Sequence, residues 1–139
     1  MNDRRVAIVA GCRTPFARSG TVYRDLTAVD LGTIATQELI ERADVDPRGI
    51  DRVVMGQVVP SLKAPNLARE VTLRTSLPKT VPAHTVNRAC ASASEAIAAV
   101  ASEILLGHAE AGIAGGAESL SDVPILHSRR MAQALAQNI

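Results

Sequence analysis

A chain of 139 residues with 47% hydrophobic content can bury one core and fits a single domain of ordinary size. Its formal net charge is +1 with both signs interspersed, which argues against a basic nucleic-acid surface or an acidic tail. Phe16 and Tyr23 are the only aromatic residues, so stacking on single-stranded bases has no platform and the core must be aliphatic.

The first apolar run, Val6-Ala7-Ile8-Val9-Ala10, is continuous, rich in β-branched residues and closed by Gly11. It predicts a strand covered on both faces. Behind the charged start Met1 to Arg5 the run is too short for a signal-peptide core. Arg13 to Arg24 is polar, with Pro and Gly, and reads as loop. Thr27-x-x-Asp30 is a capping box with Asp in the Glu/Gln place, and Leu31, Ile34, Ala35 and Leu39 follow at helical spacing. Asp46-Pro47 closes that helix or the turn after it.

Val53 to Val59 predicts the second strand, and Pro60 to Pro65 a loop. Asn66 is the expected N-cap of a helix from Leu67 to Leu77, ended by Pro78. Ala83 to Asn87 predicts the third strand. From Cys90 a helix carries Ile97, Val100, Ala101, Ile104 and Leu105 among alanines and serines, and Gly107 stops it. Apolar nearly all round, it is expected to be buried. Ala111 to Ala114 predicts a fourth strand turning at Gly115-Gly116. Pro124 leads to an amphipathic piece from Arg129 to Gln137 with no strand after it. No stretch approaches the ~20 apolar residues of a membrane span.

The alternation predicts an α/β layered fold, βαβαβαβ, with crossover helices. Cys12 and Cys90 are too few for a disulfide framework or a Cys-rich zinc site, so no metal and a reducing, cytoplasmic setting are expected.

Cys90 stands where a strand runs into a helix. A helix start leaves N–H groups unpaired, and their partial positive charge favours an anion there. Cys90 is therefore a candidate nucleophile, against the ordinary reading of a small buried residue. Cys12 is expected to be a packing residue, His84 a satisfied strand residue and His108 a solvated turn or helix-end charge. Gly115-Gly116 lacks the Lys-Ser/Thr of a phosphate loop and predicts a tight turn packed near the nucleophile. Asn66 and Arg69 are expected to cap and solvate their helix, and Arg129 and Arg130 to form a solvated face.

Four segments together resemble the N-terminal part of thiolases, the acetyl-CoA C-acyltransferases. They are Arg13-Thr14-Pro15-Phe16, Asn66-Leu67-Ala68-Arg69, Asn87-Arg88-Ala89-Cys90-Ala91-Ser92-Ala93 and Ala114-Gly115-Gly116-Ala117-Glu118-Ser119-Leu120-Ser121. Arg13 to Arg18 and Val29 to Gly32 are most similar to the 3-ketoacyl-CoA thiolases of fatty-acid β-oxidation.

The resemblance implies the N-terminal half of a layered thiolase-like fold, with a mixed sheet and a buried nucleophile-bearing helix. It implies a domain over 1–120 and the start of a loop domain over 121–139. It also implies that Cys90 attacks a 3-ketoacyl-CoA, that acetyl-CoA leaves, and that the acyl group passes from Cys90 to CoA. The Cys90 backbone N–H would form part of an oxyanion hole. Acyl-CoA and CoA would be substrates, with no resident cofactor. Homodimers or tetramers, and a hydratase/dehydrogenase partner subunit, follow from the family. So does the absence of His84, His108 and His127 from the histidine roles, which thiolases carry, with a second cysteine, on C-terminal motifs of a longer chain. The chain is thus expected to be a fragment or one half of a split site, inactive alone, or else a non-catalytic interaction module or remnant. The ketoacyl synthases share fold and nucleophile, but the Gly115 to Ser121 segment favours thiolase.

Overall fold

The computed structural model describes residues 4–137; the first three residues of the charged start and the last two of the 121–139 segment lie outside them. Four helices, α1 (Ala28–Ala43), α2 (Leu67–Arg74), α3 (Ser92–Leu105) and α4 (Arg129–Ala136), accompany three strands, β1 (Arg52–Gly56), β2 (Ala83–Val86) and β3 (Gly112–Gly116). The strands form one parallel sheet in the order β2-β1-β3, with Val53 opposite both Ala83 and Ile113. Side chains alternate across a strand, so the central β1 serves two cores. Val53 and Met55 join Val29, Ile40, Leu67, Val71 and Ile113 under α1 and α2. Val54 joins Ala96 and Val100 under α3. Val53, Val54, Leu67 and Val71 are fully buried, each contributing at most about 1.5–3 kcal/mol.

The capping signals read from the sequence are present as geometry. The Thr27 hydroxyl accepts from the Asp30 N–H at 3.2 Å, and the Asp30 carboxylate accepts from the Thr27 N–H at 2.9 Å. Asn66 caps α2, accepting from the Arg69 N–H at 3.1 Å. Gly107, at φ +78°, ends α3, with the Gly107 N–H bonded to Ile104 and the His108 N–H to Glu103, the paired bonds of a Schellman close.

The Asp30 carboxyl is held below the usual range, first by the Thr27 hydroxyl, then by the Thr27 N–H and by Arg74, with desolvation opposing. A lowered carboxylate stabilises the fold above its unfolded pKa, about 3.9, and that stability is lost as pH falls through the lower folded value. Thr27→Ala should therefore cost about 1 kcal/mol in urea unfolding at neutral pH. The deficit should shrink in acid; an equal deficit at pH 7 and in strong acid would show that the Asp30 charge takes no part.

Several expectations are corrected. Val6 to Ala10 forms no strand: Ile8 and Val9 are 81% and 86% exposed, and no described strand pairs with the run. A β-branched pattern supplies the capacity to pair, but a strand exists only beside a neighbour, and β3 ends the sheet with its outer edge free of other described strands. The sheet is parallel, not mixed, among the described residues. Helix α3 begins at Ser92 and buries one face only: Ser92, Ala96 and Val100 meet the sheet while Ile97 and Leu105 are 46% and 47% exposed. No described layer covers its outer side. Gly115 and Gly116 belong to β3, paired with Met55 and Gly56, and are not a turn.

Helix α2 also stops at Arg74, three residues short of Leu77, which is buried nevertheless. Helix α4 falls within the amphipathic piece expected over Arg129 to Gln137, is capped by the Ser128 hydroxyl, and buries none of its residues, Arg129 and Arg130 included. No helix among the described residues is long and apolar enough to cross a membrane.

Candidate active site

Because the sheet is parallel, β1, β2 and β3 bring their carboxyl ends, Gly56, Val86 and Gly116, to one side. Ligands of open α/β sheets gather on that side. Helix α3 starts there, seated directly on glycine backbone. A Cβ on Gly56 would stand 2.4 Å from the Ser92 carbonyl carbon and 2.6 Å from the Ala93 nitrogen, and one on Gly116 would stand 3.1 Å from the Ala93 Cβ. Glycine weakens a strand interior, and here it admits the approach of a second backbone.

Between β2 and α3 the chain makes a tight elbow, Asn87 to Ala91. Ala89 takes φ +47°, a left-handed conformation that an alanine seldom adopts. The Asn87 side chain bridges two segments: Oδ1 accepts from the Ala89 N–H at 3.0 Å, and Nδ2 donates to the Val58 carbonyl at 3.1 Å. The Ser92 hydroxyl accepts from the Arg88 N–H at 2.8 Å and donates to the Ala89 carbonyl at 2.6 Å. The Ala91 N–H bonds to the Arg88 carbonyl at 3.0 Å. Cys90, inside this frame, is exposed and free of any disulfide. Arg88 pairs with Glu95 of α3 on the outer side.

Glu118 steadies the neighbouring loop after β1. Its carboxylate accepts from the Val58 and Val59 N–H groups at 2.8 and 3.2 Å. Since Asn87 holds the Val58 carbonyl, the ends of β1 and β3 and the elbow share one network. Sequence reading missed Asn87, Ser92 and Glu118 as supports; the available signal was a run of small polar residues flanking a cysteine, which fits a turn or a cap equally well.

The remaining predicted residues lie apart. The Cys12 thiol is half-buried and donates to the Ala35 carbonyl at 3.1 Å, as a packing residue would. His84 is an exposed residue of β2, and His108 follows α3 with Nδ1 3.7 Å from the Glu103 carboxylate. His127 is exposed in the segment before α4. Asn66 caps α2 and also donates to the Ala83 carbonyl at 3.2 Å, tying the helix to β2. Arg69 is not a solvated charge: its guanidinium holds the Val81 and Lys79 carbonyls at 3.1 and 2.8 Å.

Two clefts among the described residues lie away from Cys90. One of about 590 Å³ runs between the 12–19 segment, α1 and the edge of β3. The other, about 370 Å³, lies between the start of α1 and residues 61–64. Cys90 itself is exposed to solvent. Among the described residues no three His, Cys, Asp or Glu side chains gather as metal ligands do.

The fold and site define a layered α/β protein that presents a cysteine at a strand-to-helix elbow. A family model for the thiolase N-terminal domain matches residues 6–138. A 3-ketoacyl-CoA thiolase of Colwellia psychrerythraea is 48% identical over 131 residues, 94% of this chain and 30% of that protein. One from Vibrio cholerae is 48% identical over 134 residues, covering 96% and 31%. Among solved structures, acetyl-CoA acetyltransferase of Bacillus anthracis superposes with a TM-score of 0.84 at 32% identity, covering 88% of this chain and 31% of its own. A thiolase from Ascaris suum in complex with coenzyme A gives 0.80 at 32% identity, covering 84% and 31%. The chain belongs to the thiolase family. It spans about 30% of the length of the curated relatives it matches.

Proposed function

We propose that this chain carries the nucleophile of a thiolase-type acyltransferase that cleaves 3-ketoacyl-CoA to acetyl-CoA and a shortened acyl-CoA, or runs the reverse condensation. The observation that carries the reading is the exposed Cys90 on a left-handed elbow over the carboxyl ends of three parallel strands. In the first half-reaction the Cys90 sulfur bonds to the 3-keto carbon. The bond from that carbon to C2 breaks, and C2 takes up the proton that the Cys90 thiol has given up and departs as acetyl-CoA. In the second, the thiol of CoA attacks the acyl-cysteine, the Cys90 S–C bond breaks, and the proton passes from CoA to Cys90. Cysteine suits this chemistry because thiols are partly ionised near neutral pH, and the thioester adduct is no harder to break than the substrate. The Cys90 backbone N–H is the proposed donor to the oxygen where charge develops.

Acyl-CoA and CoA act as substrates. The histidines and second cysteine that activate thiolases are assigned to motifs beyond the matched region, so the 139-residue chain forms an acyl adduct without turnover. The physiological setting is β-oxidation in the cytoplasm, within a homodimer or tetramer and beside a hydratase/dehydrogenase subunit. Residues from 121 onward begin the loop domain that cradles CoA.

Incubation with acetyl-CoA followed by intact-mass analysis tests this directly. One acetyl group on Cys90, together with iodoacetamide labelling of Cys90 much faster than of Cys12, is expected. Equal, slow labelling of both cysteines and no adduct would favour a non-catalytic interaction module.

Assembly is checked separately. Phe16, Leu62 and Leu126 are 92%, 91% and 90% exposed, besides Ile8 and Val9. Where such side chains adjoin, the apolar surface they form favours association. Sedimentation at tens of micromolar should show species larger than the monomer, and a single sharp monomer boundary would refute it.

A further inference from the structure

Ser92 is a polar residue in an apolar place. It is 4% exposed, at the first turn of α3, facing the sheet beside Gly56. A buried hydroxyl is retained without penalty only when its hydrogen-bonding groups are used. Both directions of this one are used on the residues just before Cys90: the Arg88 N–H donates to it and the Ala89 carbonyl accepts from it. The Ala89 N–H goes to Asn87, which is itself anchored on Val58. The Ala89 N–H is thereby held by the Asn87 side chain and the Ala89 carbonyl by both the hydroxyl and the N–H of Ser92, the latter at 3.1 Å, and Ala89 is the residue in the left-handed conformation.

We propose that Ser92, aided by Asn87, is a positioning residue that locks the left-handed turn at Ala89 and so sets the line of attack of the Cys90 sulfur on a thioester. The inference rests on the acyl-Cys90 reading above. Attack on a carbonyl needs the sulfur and the donors to the developing oxyanion in register. Displacement of iodide from iodoacetamide generates no oxyanion and needs only a reachable thiol. Loss of the lock must therefore separate the two reactions, whereas a general loosening or covering of the site would slow both.

The experiment measures the rates of Cys90 acetylation by acetyl-CoA and of carbamidomethylation by iodoacetamide, with peptide mapping, in the 139-residue chain. Ser92→Ala should slow acetylation about tenfold, the effect of losing one to two neutral hydrogen bonds. Alkylation should stay within about twofold, since accessibility is kept. Ala89→Gly added to Ser92→Ala should restore part of the loss, because glycine enters the left-handed region without a Cβ penalty. Asn87→Ala, at an exposed position, carries the same test with a smaller loss should Ser92→Ala fail to give a native circular dichroism spectrum. Unchanged acetylation in both variants, or a proportional fall of both reactions, overturns the positioning role. If the parent Cys90 is alkylated but takes no acetyl group, the acyl-Cys90 reading itself fails and the positioning role falls with it.

Discussion

Cys90→Ala should abolish acetylation by acetyl-CoA, with no acetyl mass increment on the chain over background hydrolysis. The effect is all-or-none because the substitution removes the atom that forms the bond. The side chain is exposed and carries little packing, so the same variant should unfold within about 0.5 kcal/mol of the parent. Peptide mapping of the parent supplies the second half of the result, with the acetyl group on the Cys90 peptide and Cys12 unmodified. An acetyl group persisting in Cys90→Ala would move the acceptor elsewhere and sink the proposed chemistry.

The second large effect is expected at Gly56. A methyl there meets the Ser92 carbonyl carbon at 2.4 Å, the Ala93 nitrogen at 2.6 Å and the Ser92 Cβ at 2.7 Å, none of them the movable end of a side chain. Replacing a strand glycine by alanine gains roughly 0.5–1 kcal/mol of backbone entropy. Forcing α3 away from the sheet costs about 1–3 kcal/mol. The clash wins, and Gly56→Ala should melt several degrees below the parent and acetylate Cys90 more slowly. Gly115→Ala is the control, since its Cβ would touch nothing closer than the Met55 Cε at 3.7 Å, an ordinary contact. Equal melting temperatures for the two variants would show that α3 is not seated on Gly56.

Local chemistry was legible at helix ends, where both partners lie within about one turn of each other, but not at the elbow, where the equally local bonds of Asn87 and Ser92 fit a turn or a cap alike. The Thr27–Asp30 box, the Asn66 cap and the Gly107 stop involve groups three to five positions apart, and all stand as read. The buried β1 was legible too, because Val53, Val54 and Met55 form an uninterrupted apolar run that only a central strand can bury on both faces. The identical argument failed at Val6 to Ala10. Both runs are continuous and apolar, but pairing depends on a neighbour that the run cannot specify.

Residue order was enough for the layered α/β class, the caps of α1 and α2, the Gly107 stop, the family to which the chain belongs and the cysteine that the family's motif marks. Packing in three dimensions was needed for the parallel sheet in the order β2-β1-β3, for the apolar side that α3 shows to solvent, and for the two glycines that let α3 sit on strand ends. It was needed also for the way Cys90 is held, through a left-handed alanine and side chains from both flanks of the elbow. The division follows from range: propensity and capping are set within a few residues, whereas edges, buried faces and close backbone approaches are properties of segments distant in the chain, and no local pattern encodes which segment will arrive.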